Sequence, residues 1–176
     1  NTSNRVRFRI ITNIGAAKLK LGDEKGAATD FLSALEYDPT DRIGMANVAL
    51  AYMLLDRNAE AIAAAKAALR RDPTNENAAC YLIQCYFEDS SVIDPLSLVS
   101  LELRNTQAVR MGSISFFRRR RHQDWRKAAL DALLLFPEVD DFRRAAAEAN
   151  LDSILEAHWF LLGECSAEEN AIEKLK

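Results

Sequence analysis

A self-similarity at a spacing of thirty-four residues is the feature that most constrains how this chain can fold. The coinciding residues are Asn13 with Asn47, Ala17 with Ala51, Leu21 with Leu55, Ala27 with Ala61, Ala34 with Ala68, Leu35 with Leu69, and Asp38-Pro39-Thr40 with Asp72-Pro73-Thr74. Self-similarity at a fixed period of this length is typical of repeat proteins, in which each unit packs on its neighbours. The sequence therefore predicts stacked units rather than a core built from distant segments.

Apolar residues recur at helical spacing inside each period. In the first unit they are Ile10, Ile14, Ala17 and Leu21, at steps of four, three and four residues. Such steps place side chains on one face of a helix. Gly22 then interrupts the pattern, and Asp23 is suited to cap a second helix. Pro39 ends that helix because proline cannot donate the next hydrogen bond. The sequence predicts two helices in each unit.

This arrangement resembles the tetratricopeptide repeat. The family pattern asks for a small residue late in the first helix, then an alanine, a large residue, another alanine and a final proline in the second. The residues at these places are Gly15, Ala27, Phe31, Ala34 and Pro39 in the first unit, and Ala49, Ala61, Ala65, Ala68 and Pro73 in the second. Ala65 departs from the pattern, since a bulky residue is usual there. The resemblance implies an all-α fold, an α-solenoid whose antiparallel helix pairs wind into a right-handed superhelix.

We expect residues 1–176 to form a single helical-repeat domain. Its clear repeats are residues 8–41 and 42–75, and its degenerate repeats are residues 76–105, 106–139 and 140–176. Further helices are predicted from Glu76 to Phe87, from Pro95, from Thr106 to Arg121 and from Trp125 to Phe136. Trp159, Leu162 and Gly163 match the start of a first helix in the family pattern.

The composition fits a globular helical protein, with 49% hydrophobic and 28% charged residues and only 6 glycines and 4 prolines. The formal net charge of -3 makes no general case for nucleic acid or anionic lipid. No apolar stretch approaches the ~18 residues of a membrane span. The sequence begins with Asn1 and opens on no signal-peptide pattern, so we interpret it as a processed protein or a segment of a larger one.

Catalytic and metal-binding patterns are missing from the sequence. Only His122 and His158 are present, and the five-residue step from Cys80 to Cys85 is not a usual chelating step. These cysteines and Cys165 form no closed disulfide framework, so we expect buried thiols and a cytoplasmic location. We predict no enzymatic activity, no metal and no cofactor.

The resemblance also implies where a partner binds, because the first helices of successive repeats line the concave groove. In the family register the groove residues are Arg9, Thr12, Ala16, Leu19 and Lys20, then Ile43, Ala46, Asn47, Leu50, Met53 and Leu54, then Asn77, Cys80, Tyr81, Gln84, Phe87 and Glu88. Leu50, Met53, Leu54 and Phe87 suggest a hydrophobic patch for a peptide or helix. Packing of these side chains against a neighbouring helix is the alternative.

The family's clamp for acidic chaperone tails is not expected here. That clamp uses lysine, asparagine and arginine at fixed groove positions, and only Asn47 fits. Without the cations a terminal carboxylate would be poorly held.

Arg118, Arg119, Arg120 and Arg121 form the densest charge cluster. They are either a contact for phosphate or nucleic acid or the solvated end of a helix, where cations complement the helix dipole. Consecutive helical residues fan out around the axis, which argues for the second interpretation.

The leading hypothesis is a protein-interaction module that binds a protein or peptide segment, as the scaffold or sensor arm of a larger protein. Two alternatives stay open: a nucleic-acid-binding helical repeat and a small secretion-type chaperone. Self-association is compatible with each of them, and no membrane partner is expected.

Overall fold

The computed structural model of the chain describes residues 2–150. Its α-helices are α1 (Thr2–Lys20), α2 (Glu24–Ala34), α3 (Arg42–Leu54), α4 (Asn58–Arg71), α5 (Glu76–Cys85), α6 (Gln107–Arg119) and α7 (Asp124–Leu135), and residues 140–150 are helical as well. Two 3₁₀ helices, Tyr86–Glu88 and Pro95–Leu98, lie between α5 and α6. Because residues 2–150 contain no strand, the prediction of an all-α fold is confirmed.

The chain divides into two compact units, Asn1–Gln123 and Asp124–Lys176. In the first unit α1 packs against α2, and α3 packs against α4. The first pair contacts the second through α2 and α3, and the second pair contacts the next helix through α4 and α5. Small residues permit the close approach: a methyl group added to Gly15 would lie 3.0 Å from the Phe31 ring. Stacked pairs of antiparallel helices are the packing of an α-solenoid, as predicted.

The first helix of each clear repeat ends in the same way. Gly22 and Asp56, thirty-four residues apart, both have a left-handed backbone with φ of 83° and 56°. In each case the amide of the following residue donates a hydrogen bond to a carbonyl of the helix. The Asp23 amide donates to the Lys18 carbonyl and the Arg57 amide to the Tyr52 carbonyl, both at 2.9 Å. This is the Schellman motif, which satisfies the last carbonyls of a helix.

Side-chain caps and turns set the remaining boundaries. The Asp23 carboxylate accepts from the Gly26 amide at 2.9 Å, so the predicted cap of α2 is confirmed. The two Asp-Pro-Thr segments form matching turns, in which the threonine hydroxyl donates to the aspartate at 3.0 Å in Asp38-Thr40 and 2.7 Å in Asp72-Thr74. Turn chemistry of this kind repeats because it depends on local residues alone.

The third pair departs from the regular spacing. Helix α5 ends at Cys85, two residues before the predicted end, and packs against α6. The intervening segment supplies Val99 and Leu103 to a buried cluster with Ile83, Val109 and Phe116. Asp94 caps the helix that was expected from Pro95, but this helix is a 3₁₀ helix that ends at Leu98. Helices α5 and α6 lie in the separate repeats predicted for residues 76–105 and 106–139, and the repeat boundaries after residue 75 stay a prediction.

In the second unit, α7 and the helix of residues 140–150 bury small residues and one phenylalanine. Phe142 is fully buried, and its ring centroid lies 5.8 Å from that of Phe136. The buried alanines are Ala129, Ala132, Ala145, Ala146 and Ala149. The predicted repeat start at Trp159, Leu162 and Gly163 lies outside the described residues.

Candidate peptide-binding groove

Helix α3 carries the apolar part of the predicted groove. Ile43 is 57% exposed, and Leu50, Met53 and Leu54 are half-buried. Ile43, Leu50 and Leu54 follow one another at steps of seven and four residues, so they lie along one stripe of the helix. Leu50 and Leu54 also pack on a buried cluster that includes Phe31. Part of each side chain is thus in the core and part is accessible to a ligand.

Helix α1 supplies polar groups at the equivalent positions. Arg9 and Lys20 are exposed and have no ionic partner among the described residues. Thr12 is half-buried, and its hydroxyl is buried without a hydrogen-bond partner. Ala16 and Leu19 pack on the same cluster as Leu50. This edge of the predicted groove therefore has a positive charge.

Helix α5 supplies a third, more polar row. Asn77 is exposed, and the half-buried Gln84 donates its amide hydrogen to the Cys80 sulfur at 3.1 Å. Tyr81 lies between the alanine-rich clusters of α3 and α4, and burial raises its pKa to about 12. Asn47, the equivalent residue on α3, is half-buried.

Several residues of the predicted groove pack against other parts of the chain. Ala46 and Cys80 are buried, with 1% and 7% of their surface exposed, so they are not available to a ligand. Phe87 is half-buried against the α5–α6 cluster, and the Arg119 guanidinium lies 3.6 Å from its ring centroid. Glu88 is exposed. The alternative of packing against a neighbouring helix thus describes Phe87 better than a free apolar patch does.

One open cavity of about 430 Å³ brings predicted groove residues of two helices together. Ile43 of α3 and Asn77 of α5 both line it, at the N-terminal ends of their helices. Its remaining lining residues are Asp41, Arg42, Thr74, Asn75 and Glu76. The predicted groove residues of α1 do not line this cavity.

Hydrogen bonds fix the walls of the cavity. The Asn75 side chain accepts from the Ala78 amide at 3.0 Å and donates to the Arg42 carbonyl at 2.9 Å, which ties the start of α5 to the start of α3. The Arg42 guanidinium pairs with Asp72. The pKa of Asp72 lies below its usual value, chiefly because the Thr74 hydroxyl donates to this carboxylate and further because of Arg42.

The cavity residues Asp41 and Asn75 were not predicted as site residues, although the sequence carries a signal for both. Asp41 and Asn75 are helix caps thirty-four residues apart, each accepting from backbone amides of the helix that follows. Reading both as N-caps would have placed the two helix starts side by side, because equivalent positions of neighbouring repeats are adjacent in a solenoid.

The four arginines after Phe117 separate into different roles. Arg120 donates to the carbonyls of Phe87 and Val92, each at 2.6 Å, to that of Tyr86 at 3.4 Å, and to that of Asp89. Its guanidinium therefore holds the segment after α5 in place, and its donors are already engaged. With Arg119 over the Phe87 ring, two of the four cations serve the fold.

Arg121 is the left-handed residue of a third Schellman motif, with φ of 53°. The His122 amide donates to the Phe117 carbonyl at 3.0 Å and the Arg121 amide to the Arg118 carbonyl at 2.9 Å. The rings of Phe117 and His122 make the hydrophobic contact that accompanies this motif, with centroids 5.9 Å apart. Arg118 and Arg121 are exposed. The proposed nucleic-acid contact at these four residues stays a prediction.

Within residues 2–150, no group of three or more histidine, cysteine, aspartate or glutamate side chains is placed to hold a metal ion. No helix in this described part of the chain has the length and apolarity needed to cross a bilayer.

Paired helices stacked at a thirty-four-residue period define a helical-repeat protein. Residues 8–41 and 44–75 match the family model of the tetratricopeptide repeat. No curated protein matches the sequence. Tetratricopeptide repeats are generally protein–protein interaction modules and are not themselves catalytic.

Proposed function

We propose that the chain binds a peptide segment of another protein across α1, α3 and α5, as the interaction arm of a larger protein. The observation that carries this proposal is the accessible apolar stripe of Ile43, Leu50 and Leu54 on α3. Its equivalents on α1 and α5 are polar except for Ala16, which packs on the core, so the stripe is a local anchor with polar edges. An apolar centre with a polar rim is typical of protein-recognition surfaces.

The charges around the stripe indicate the chemistry of the peptide. Arg9 and Lys20 form a positive edge on α1, whereas Glu88 and Glu76 are exposed on the α5 side. A peptide with apolar anchors for α3 and a carboxylate directed towards α1 would satisfy both features. Because the cations are exposed, they should increase the association rate more than the final affinity.

Identification and mapping of the partner test this proposal. Wild-type protein and Ile43→Glu/Met53→Glu are used for affinity capture, and a captured protein is reduced to a minimal peptide for calorimetry. Both positions are accessible, so the variant should remain folded, which circular dichroism and thermal unfolding verify. The matched control is Ile93→Glu, since Ile93 is 83% exposed and lies outside the predicted groove.

We expect the groove variant to weaken binding of the mapped peptide by about 2 kcal/mol or more, since carboxylates replace two apolar contacts. The control should bind as the wild type does. Binding that survives both glutamates but is lost in high salt or after nuclease treatment would contradict the proposal.

A further inference from the structure

The open cavity between the starts of α3 and α5 lies at one end of the apolar stripe on α3. Ile43 lines this cavity and is also the first residue of the stripe that continues through Leu50 and Leu54. Asn77 of α5 lines the cavity as well and is exposed. A peptide that is held on the stripe therefore passes the mouth of the cavity, and the lining determines which side chain can enter it.

The arginine in the lining is already neutralised. The Arg42 guanidinium pairs with the Asp72 carboxylate and donates to the Thr74 hydroxyl at 3.3 Å. The Thr74 hydroxyl in turn donates to Asp72 at 2.7 Å. An anionic group of a ligand would have to compete with Asp72 for this cation, so the cavity is not suited to a carboxylate or phosphate.

The two carboxylates in the lining are not neutralised in this way. Asp41 caps α3 with its Oδ1 atom, which accepts from the Ile43 and Gly44 amides at 2.9 Å each. Glu76 is the first residue of α5 and is exposed. Neither Asp41 nor Glu76 has an ionic partner among residues 2–150.

The balance of charge around the cavity is negative. The starts of α3 and α5 each contribute about half a positive charge from the helix dipole. Asp41 and Glu76 are both carboxylates, and the charges of Arg42 and Asp72 cancel. The sum is about one negative charge. The cavity therefore attracts a cation in spite of the two helix starts that border it.

The rest of the lining selects among cations. Ile43 is 57% exposed and supplies an apolar wall beside the carboxylates. Lysine and arginine have an aliphatic stem that packs on apolar surface and a charged head that stays in polar surroundings. A divalent metal ion takes about six oxygen ligands, whereas no group of three or more acidic, histidine or cysteine side chains within residues 2–150 is placed to hold one.

We propose that this cavity binds a lysine or arginine side chain of the peptide and that Asp41 and Glu76 select for it. The inference rests on the proposed function, because the cavity is one end of the same groove. It adds a requirement for the partner: its binding segment carries a cation at a fixed spacing from the apolar residues that contact α3.

Selection from a random library of displayed short peptides tests this requirement without knowledge of the natural partner. The targets are the full wild-type chain and Asp41→Asn/Glu76→Gln. Asparagine caps a helix as well as aspartate does, and glutamine keeps the shape of glutamate, so we expect this cavity variant to remain folded. The matched control is Asp23→Asn/Glu24→Gln, which makes the same exchanges at the cap and first residue of α2.

We expect the wild type and the α2 control to select peptides that share apolar residues and a lysine or arginine at a fixed spacing from them. The cavity variant should select the apolar residues without the cation. In calorimetry, exchange of the selected lysine for norleucine, or of arginine for citrulline, should weaken binding to the wild type about tenfold and leave binding to the cavity variant unchanged.

The outcomes separate this inference from the proposed function. Peptides whose binding is lost in Ile43→Glu/Met53→Glu but which share no cation overturn the inference and leave the proposed function standing. A cation whose removal weakens binding equally in the wild type and the cavity variant overturns the inference too. So does an equal loss of affinity in the α2 control, since net charge would then explain the effect. If no selected peptide depends on Ile43 and Met53, both proposals fail.

Discussion

Gly112 of α6 lies directly against the backbone of Cys80 in α5. A methyl group added to Gly112 would be 3.0 Å from the Cys80 carbonyl oxygen and 3.2 Å from its Cα and sulfur. The close approach lets α5 and α6 bury Ile83, Val109 and Phe116 between them and the connecting segment. Glycine at this place is therefore required by packing, although it is a poor residue for the middle of a helix.

We expect Gly112→Ala to lower the free energy of unfolding by about 1–3 kcal/mol, because the added methyl group meets backbone atoms that cannot move aside. Alanine also has a higher helix propensity than glycine, which stabilises the helix by up to about 1 kcal/mol. This gain offsets only part of the cost of the clash. Urea unfolding measures the difference. Ser115→Ala, half-exposed on the same helix, is the control and should be neutral or slightly stabilising. A stabilised Gly112→Ala would contradict the α5–α6 contact.

The arginine run gives a second prediction, since its members differ in role. Arg120→Ala removes every donor that reaches the Tyr86, Phe87, Asp89 and Val92 carbonyls, and we expect a loss of about 2–3 kcal/mol in stability. Arg121→Gly removes the same charge but relieves the left-handed backbone, and we expect a gain of about 0.5–1 kcal/mol.

Thermal and urea unfolding of these two variants test the assignment. Equal effects of the two substitutions on the free energy of unfolding would mean that the charge of these arginines, rather than their position, determines their contribution to stability. Nucleic-acid binding measured on the same pair is informative as well, because we expect Arg121→Gly to remain folded. A loss of nucleic-acid binding in that variant would support the interpretation of the four arginines as a nucleic-acid contact.

Helices α1 to α4 were predictable because their signals are local. Asp23 caps α2 and Pro39 follows its end, so neither signal needs knowledge of distant contacts. The spacing of thirty-four residues repeats the proline as Pro73 but not the cap, because Arg57 makes no side-chain hydrogen bond at the start of α4. The early end of α5 also had a local signal. Asp89 accepts from the Ser91 hydroxyl and amide at 2.6 and 3.0 Å, the same turn that Asp38 makes with Thr40.

The pairing of α5 with α6 and the exposure of the site residues had no local signal. Gly112 matters only because Cys80 lies opposite, and that contact spans a connection of about twenty residues. Likewise, Ile10 and Gly44 occupy equivalent positions, yet Ile10 is exposed and Gly44 is covered by Phe8 and Leu35. An amphipathic pattern predicts that a face will be covered but not by what.

Thr12 provides a third prediction, at the edge of the proposed groove. Its buried hydroxyl has no hydrogen-bond partner, which costs free energy in the folded state. We expect Thr12→Val, which keeps the shape, to raise the free energy of unfolding by about 1 kcal/mol. Thr29→Val is the matched control, because the Thr29 hydroxyl is exposed and donates to the Lys25 carbonyl at 2.9 Å. If Thr12→Val is instead destabilising, the hydroxyl has a partner.

The buried cysteines of α5 give a fourth prediction, for the dependence of stability on pH. Burial raises the pKa of Cys80 and Cys85 to about 11 each. An unfolded thiol has a pKa of about 8.5, so above that pH the unfolded chain binds fewer protons than the folded one. The free energy of unfolding should therefore be unaffected by these thiols at pH 7 and fall as the pH rises from about 8.5 towards 11.

Urea unfolding of wild type and Cys80→Ala/Cys85→Ala at pH 7, 9 and 10 tests this expectation through the slope against pH. Removal of the sulfurs lowers stability at every pH through the cavities they leave, but the fall with rising pH should be shallower in the variant.

Both thiols should also resist alkylation at pH 8 in a Cys165→Ser background until denaturant is added, since the thiolate is the reactive form. Rapid alkylation under native conditions, or parallel slopes, would mean that α5 opens to solvent far more readily than its packing under α6 implies.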